Sequence, residues 1–350
     1  MKGYPAVFVT GLLLGLGVAE ALAKNTHDDD VSVSVVADRR LRVTTPAGSG
    51  VLTLYLSQDW DRPQPAITRA VITVHGASRN AAVYRVAAEK SLAASGLDPK
   101  SVLLIEPQFL DDADVTAHHL PPETLHWSHV GWEGGDEAHG PAPISSFAAL
   151  DAILARLANR TFFPALKSVV VAGHSGGGQV VQRYAVAPRG EGVLTEAGIH
   201  VRYVVANPSS YVYFSPERPA GDGFVSFNNA ACSAYDRWKY GMIGVPRYFA
   251  DRRAAAVEAA YAAHDVVYLL GTDDTNPNHP TLDKSCMAEA QGPYRYARGL
   301  NYFRYMQQRH STDLAQRLLQ VPGVGHDGDR MFNSACGLAA VYDLPGCTGG

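Results

Sequence analysis

The sequence predicts an α/β fold, a three-layer α/β/α sandwich around a mostly parallel central sheet. Apolar runs that lack polar alternation suit strands covered on both faces, as in a parallel sheet. Segments with a helical pattern lie between these runs, and such an alternation is typical of a sheet flanked by helices. The apolar runs are residues 70–74, 102–105, 169–172, 201–206 and 266–270.

The sheet is expected to begin with antiparallel strands, because residues 31–37, 41–45 and 51–56 alternate between apolar and polar side chains. Helices are predicted over 82–94, 145–157, 178–186 and 252–263, and the second begins with two serines suited to an N-cap.

Two stretches, residues 111–143 and 209–248, do not fit this pattern and are rich in glycine, proline and aromatic residues. Long irregular segments inside a compact domain are usually functional loops. We therefore expect residues 24–350 to form one domain with two insertions.

Composition limits the classes of function. The chain has 350 residues, with 30 Lys and Arg against 34 Asp and Glu, which gives a net charge of −4. Such a balance provides no basic surface and argues against a nucleic-acid partner. A hydrophobic content of 46% excludes disorder for most of the chain. Nothing in the composition predicts an oligomeric state.

Residues 1–23 have the pattern of a signal peptide. Lys2 precedes an apolar run over 6–19, and the small residues Ala21 and Ala23 form a cleavage pattern. The 17 uncharged residues between Lys2 and Glu20 are short for a membrane span, although an uncleaved anchor is the alternative. We predict a secreted or periplasmic protein, with no stable membrane insertion after cleavage.

The four cysteines favour two disulfide bonds, because an oxidising compartment favours bridges over metal ligation. Cys336 and Cys347 lie close together around a loop with glycine and proline, and pairing them leaves Cys232 with Cys286. Four cysteines allow other pairings, and free buried thiols are the alternative.

The motif GHSGG at 173–177 follows the apolar run 169–172 and precedes a predicted helix. It fits G-x-S-x-G, in which a sharp strand-to-helix turn exposes the central residue, here Ser175. Glycines flank the serine because side chains there would collide across the turn. The free N–H groups of the helix N-terminus can also stabilise negative charge.

With this motif and its order of strands, the chain resembles the α/β-hydrolase superfamily over roughly residues 51–343. The resemblance implies a catalytic triad in the chain order nucleophile, acid, histidine. It assigns these roles to Ser175, to Asp274 after the run 266–270, and to His326 in the segment VPGVGHDG. The neighbouring Asp273 is the alternative acid.

The resemblance also implies an oxyanion hole formed by the backbone N–H groups of Ala77 and Gly176. Ala77 ends a His-Gly-Ala turn after the run 70–74, which departs from the His-Gly-Gly-Gly version of the family and leaves the alcohol portion of a substrate open. Arg79 and Asn80 either brace this turn or are surface residues.

Three residues are candidates for substrate binding: His174, Tyr211 and Trp238. The aromatic residues of the two insertions either cover a pocket or pack the loops onto the body. Five histidines in the first insertion allow a metal site, but their spacing lacks the H-E-x-x-H arrangement. We predict no metal and no cofactor.

The sequence therefore predicts an exported serine hydrolase that cleaves small or polymeric carboxylic esters through an acyl-enzyme. The alternatives on the same triad are a peptidase or amidase and a polyester depolymerase. A metal-dependent hydrolase and an inactive binding protein on a hydrolase scaffold are the alternatives from other classes.

Overall fold

An eight-stranded sheet lies at the centre of the structure, a computed structural model that describes Met1 and residues 31–228 and 230–347. Twelve strands lie in the described residues: β1 (Arg39–Thr45), β2 (Gly48–Leu56), β3 (Arg69–Val74), β4 (Val102–Gln108), β5 (Leu110–Asp111), β6 (His126–Trp127), β7 (Ser168–His174), β8 (His200–Ala206), β9 (Glu217–Ala220), β10 (Gly223–Ser226), β11 (Asp265–Gly271) and β12 (Arg317–Val321).

The strand order in the central sheet is β1-β2-β4-β3-β7-β8-β11-β12. β1 pairs antiparallel with β2, and β2 pairs antiparallel with β4. From β4 to β12 every neighbouring pair is parallel. The predicted fold class is confirmed, including the antiparallel start of the sheet.

Helices cover both faces of the sheet. They are α1 (Ala81–Ser95), α2 (Asp112–Ala117), α3 (Ser146–Leu157), α4 (Gly176–Val186), α5 (Glu191–Glu196), α6 (Ala254–Ala263), α7 (Cys286–Glu289), α8 (Arg295–Arg309), α9 (Gly328–Asn333) and α10 (Ala335–Tyr342). Four of them, α1, α3, α4 and α6, correspond to predicted helices. The 15-residue helix α8 does not.

Among the described residues, the two largest apolar clusters of the core lie on opposite faces of the sheet. Val169 and Val171 of β7 belong to the cluster that contains α3, α4, α6 and α8, whereas Val170 and Ala172 belong to the cluster that contains α1, α9 and α10. Successive side chains of a strand point to opposite faces, so a strand buried on both sides must be apolar throughout. This accounts for the unbroken apolar runs.

The predicted strand over 31–37 is wrong. The backbone amides of Val33 and Ala37 donate to side chains, Asp114 Oδ1 and Gln108 Oε1, each at 2.7 Å. These amides are thus satisfied without a neighbouring strand, and the segment has no regular secondary structure.

The two irregular segments contain short regular elements. The first holds α2 and the small β5–β6 sheet, and the second holds the β9–β10 hairpin. Interpreting them as insertions in one domain over 24–350 remains our hypothesis. Residues 2–23 lie outside the described residues, and the predicted signal peptide falls on them.

Both predicted cysteine pairs lie at disulfide distance. The S–S distances are 2.10 Å for Cys232–Cys286 and 1.99 Å for Cys336–Cys347. The first bond joins the second insertion to the start of α7. Among the described residues, no helix combines the length and the apolar character needed to cross a bilayer.

Glu106 on β4 is a buried carboxyl whose two oxygens have no hydrogen-bond partner among the described residues. Burial raises its pKa from 4.5 to about 8. The folded chain therefore holds a proton that the unfolded chain releases, and stability falls as pH rises through this window.

We expect Glu106 to lower the free energy of unfolding by about 1.4 kcal/mol for each pH unit between these two values. In Glu106→Gln, whose side chain stays neutral, this contribution to the pH dependence of the free energy of unfolding should be absent. Denaturant titrations of both chains at about pH 5 and about pH 8 measure it. Glu196→Gln, at an exposed position of α5, is the matched control. Equal slopes for Glu106→Gln and wild type would contradict the assignment.

Candidate active site

Ser175 lies at the turn between β7 and α4, in a backbone conformation that residues other than glycine rarely adopt. Its φ and ψ are 60° and −120°. The turn is tight: a Cβ on Gly173 would stand 2.3 Å from the carbonyl oxygen of Gly177, and one on Gly177 would stand 2.1 Å from that of Val74. Glycine is therefore required on both sides of the serine. The strained conformation presents the hydroxyl of Ser175 at the N-terminus of α4.

The structure brings Ser175, His326 and Asp274 into one hydrogen-bonded chain. His326 Nε2 lies 2.9 Å from Ser175 Oγ, and His326 Nδ1 lies 2.7 Å from Asp274 Oδ2. The side chain of Asp274 is only 2% exposed and that of His326 is 9% exposed. With Nδ1 donating to the carboxylate, Nε2 is the nitrogen that can accept the serine proton.

A buried arginine lies close to the carboxylate of Asp274. Arg295 Nη1 lies 3.6 Å from Asp274 Oδ1, and Arg295 Nε donates to Ser209 Oγ at 3.0 Å. Burial lowers the pKa of Arg295 to about 10, so the side chain is still a cation at neutral pH. Burial, reinforced by this cation and opposed by Asp274, lowers the pKa of His326 below 6.5. His326 is therefore neutral at neutral pH, the state in which an imidazole can accept a proton.

Asp273, the alternative acid, has an exposed side chain. Its side chain accepts a hydrogen bond from Thr272 Oγ1 at 3.1 Å. Its backbone N–H donates to the carbonyl oxygen of Val324 at 3.0 Å, which joins the acid loop to the histidine loop. The geometry thus places Asp274, and not Asp273, next to the histidine.

The turn that contains Ala77 packs against Gly176. A Cβ on Gly176 would lie 2.9 Å from the backbone nitrogen of Ala77. Within the described residues neither N–H donates a hydrogen bond to the protein. His75 fixes the turn, because its Nδ1 donates to Gly76 O and its Nε2 accepts from Phe109 N, both at 2.9 Å. Burial lowers the pKa of His75 to about 4, which keeps this neutral tautomer.

Arg79 stabilises the same turn. It is buried with φ at 55°, and its N–H donates to Gly76 O at 3.0 Å. Its guanidinium lies 2.7 Å from Asp114 Oδ2 and 3.1 Å from Asp111 Oδ2. Two buried carboxylates thus more than offset the charge of this guanidinium, and they tie the turn to the first insertion.

Comparison with solved structures identifies this arrangement of strands and loops. The poly(3-hydroxybutyrate) depolymerase from Bordetella parapertussis superimposes with a TM-score of 0.60 and 22% identity, over 89% of this chain and 92% of its own. Poly(aspartic acid) hydrolase-1 from Sphingomonas sp. KT-1 gives the same score and identity, over 89% of this chain and 100% of its own. This chain has the α/β-hydrolase fold. No protein-family model and no curated protein matches the sequence.

In this α/β-hydrolase fold, two further histidines flank His326. The ring of His174 lies 4.5 Å from that of His326 with an interplanar angle of 35°, and the ring of His279 makes an edge contact at 5.0 Å. His174 is only 3% exposed, so its predicted role in substrate binding is wrong: the ring packs against His326 and is covered. Burial keeps the pKa of His174 well below 6.5.

Tyr211, also predicted to bind substrate, lies in the core. It is completely buried and stacks on Tyr302 at 4.6 Å, so that assignment is wrong as well. The ring is covered because it fills space between α8 and the sheet. Trp238 is half-buried, donates to Gly134 O at 2.6 Å and contacts Phe249 at 4.8 Å. It remains a candidate for substrate contact.

Sequence reasoning missed three residues at this site: Glu133, His279 and Arg295. Glu133 follows the buried Trp132 in a short 3-10 turn over Trp132–Gly134, and a Cβ on Gly176 would lie 2.7 Å from its Oε1. A single carboxylate between a tryptophan and two glycines was the available signal. Nothing in the sequence indicated that the segment folds back onto the serine turn.

Three of the five histidines in the first insertion contact carboxylates. His126 and His139 both contact Asp112, at 3.3 and 2.8 Å, and His129 contacts Asp111 at 3.1 Å. Over residues 31–228 and 230–347, no group of three or more such side chains is arranged to hold a metal ion.

Proposed function

We propose that this chain is an exported serine hydrolase that cleaves carboxylic esters through an acyl-enzyme. The observation that carries the proposal is the hydrogen-bonded chain from Ser175 through His326 to Asp274, which begins at a strained strand-to-helix turn. The fold provides the scaffold on which such a chain is expected, but the fold alone assigns no activity.

The geometry supports a two-step reaction. Ser175 Oγ attacks the ester carbonyl while His326 Nε2 takes its proton, and the alcohol leaves with that proton. Water then attacks the acyl-enzyme, with His326 again acting first as base and then as acid. Asp274 holds the histidine in the correct tautomer and stabilises the imidazolium that forms.

The N–H groups of Ala77 and Gly176 supply the oxyanion hole in this proposal. Both lie beside Ser175, and neither is engaged by a described protein acceptor. Donors that are already fixed in place need no rearrangement as negative charge develops on the carbonyl oxygen. The reaction requires no cofactor.

Export is supported by the two disulfide bonds, since such bonds persist in oxidising compartments. The leader-like pattern of residues 1–23 agrees with it. Cleavage of an amide and of a polymeric ester both remain within reach of the same triad, and we place a simple ester first because it has the better leaving group.

The test combines covalent labelling with turnover. The mature chain should react with a fluorophosphonate probe at Ser175, and Ser175→Ala should not be labelled. It should also hydrolyse some of a series of p-nitrophenyl esters from acetate to palmitate, with activity unchanged by EDTA. Absence of labelling and turnover in a folded chain would favour a binding protein, and loss of activity with EDTA would favour a metal-dependent hydrolase.

A further inference from the structure

Glu133 is a carboxyl group at the reacting centre that the triad and its two backbone donors leave unexplained. Its side chain is 10% exposed, and its Oε1 faces the same point beside Gly176 as the backbone nitrogen of Ala77. A Cβ built on Gly176 would lie 2.7 Å from the first atom and 2.9 Å from the second.

The hydrogen bonds of α4 fix which oxygen of Glu133 is engaged. Gln179 Oε1 accepts from Arg183 Nη2 at 2.8 Å and from Ser210 Oγ at 3.0 Å. The amide nitrogen of Gln179 must therefore be the group that donates to Glu133 Oε2, at 3.1 Å. Oε2 acts as an acceptor, and Oε1 has no hydrogen-bond partner in the part of the chain that the structure describes.

The neighbouring cations do not hydrogen-bond to this carboxyl. Arg183 Nη1 donates to the backbone carbonyl of Glu133 at 3.0 Å and stays 4.0 Å from Oε2. Lys239 Nζ donates to Val130 O at 2.6 Å. The negative charge of Asp283, in the loop after β11, also raises the pKa of Glu133. His129 in the first insertion lowers this pKa.

An ionised carboxylate in this place would repel the negative charge that develops on the substrate carbonyl. A protonated carboxyl would donate a hydrogen bond to it, as a buried acid does in other oxyanion holes. Burial raises the pKa of Glu133, against the opposing pull of Lys239 and Arg183, and so favours the protonated form.

We propose that Glu133, in its protonated form, is a third hydrogen-bond donor of the oxyanion hole and hence a catalytic residue. Oε1 carries the proton and donates to the oxyanion, while Oε2 accepts from Gln179. The proton stays on Glu133 throughout, so no bond to it is made or broken. This inference rests on the proposed function, because it assigns a role within the same site.

The turn that carries Glu133 is held in place for such a role. The Trp132 ring packs 4.7 Å from the ring of His75, which belongs to the Ala77 turn, and stacks on Phe109 at 5.5 Å. Ser146 Oγ donates to Trp132 O at 2.7 Å, and Trp238 Nε1 donates to Gly134 O. The turn and the two backbone donors thus form one packed unit.

The experiment compares pH profiles of kcat for phenyl acetate in wild type, Glu133→Gln and Glu133→Ala, with active sites counted by fluorophosphonate labelling. Glu137→Gln, an exposed glutamate of the same insertion, is the matched control. We expect wild-type kcat to fall at alkaline pH as Glu133 ionises. Glu133→Gln, which donates at every pH, should lose this alkaline fall and keep acid-side activity within about tenfold.

Glu133→Ala should lose about a hundredfold in kcat on the acid side, the usual effect of removing one oxyanion donor. An alkaline fall that persists in Glu133→Gln would overturn the inference and point to another group, such as Lys239. Equal activity of the alanine and glutamine variants at low pH would also overturn it. A wild type that neither labels nor turns over would instead contradict the proposed function.

Discussion

Ser175→Ala should lower kcat for p-nitrophenyl esters by about six orders of magnitude, because no other group at the site can form the acyl-enzyme. The change removes one oxygen from a half-buried side chain and leaves the turn intact. Stability should therefore stay near that of wild type. Rates measured with active-site-counted wild type and with Ser175→Ala at high concentration test this directly.

The double variant Ser175→Ala with His326→Ala provides the control. Members of a triad act as a unit, so the second substitution should cost almost nothing once the serine is gone. A further large loss would mean that His326 serves a different nucleophile. Retention of most activity in Ser175→Ala would contradict the proposed function.

Asp274→Asn should lower kcat by about four orders of magnitude, since an asparagine cannot hold the histidine in the required tautomer. The neighbour Asp273→Asn is a matched control: it makes the same chemical change one residue away, on an exposed side chain. It should leave kcat within about twofold of wild type.

The pH dependence gives a second readout for Asp274. The carboxylate raises the pKa of His326, against the dominant effect of burial and against Arg295. Loss of its charge should move the acid limb of kcat/KM to lower pH, whereas Asp273→Asn should leave the limb in place. A large loss in Asp273→Asn with little change in Asp274→Asn would reverse the assignment of the acid.

The strands and the serine turn could be predicted because local constraints dictate their residue types. A strand covered on both faces has to be apolar throughout, and the turn at Ser175 admits no side chain at Gly173 or Gly177. Both requirements fix residue types within a few positions of the sequence, where a pattern can be recognised.

Helix α8 was missed for the opposite reason. Its buried face is built from Arg295, Arg298, Tyr302 and Tyr305, with Gly299 and Met306, so it lacks the aliphatic periodicity that predicts a helix. Backbone carbonyls and Ser209 accept hydrogen bonds from these buried arginines, and those acceptors lie on loops distant in sequence.

Glu133 could not be predicted because its partners Gln179 and Arg183 lie on α4, more than 40 residues along the chain. The predicted role of Tyr211 in substrate binding was wrong for the same reason, since only the packing of α8 shows that its ring is covered. Long-range contacts of this kind decide which polar and aromatic residues reach a site, and sequence spacing does not report them.

The Cys232–Cys286 bond bears on how the protein can be produced. It closes a span of 54 residues that includes Trp238, Lys239 and Asp274, and a cross-link of this span is worth about 4 kcal/mol. A chain made in a reducing cytoplasm would lack that anchor on the loops around the site. Preparations from an oxidising host and from a reducing host are therefore different samples, and kinetic values from the two should be compared only after the thiols have been counted.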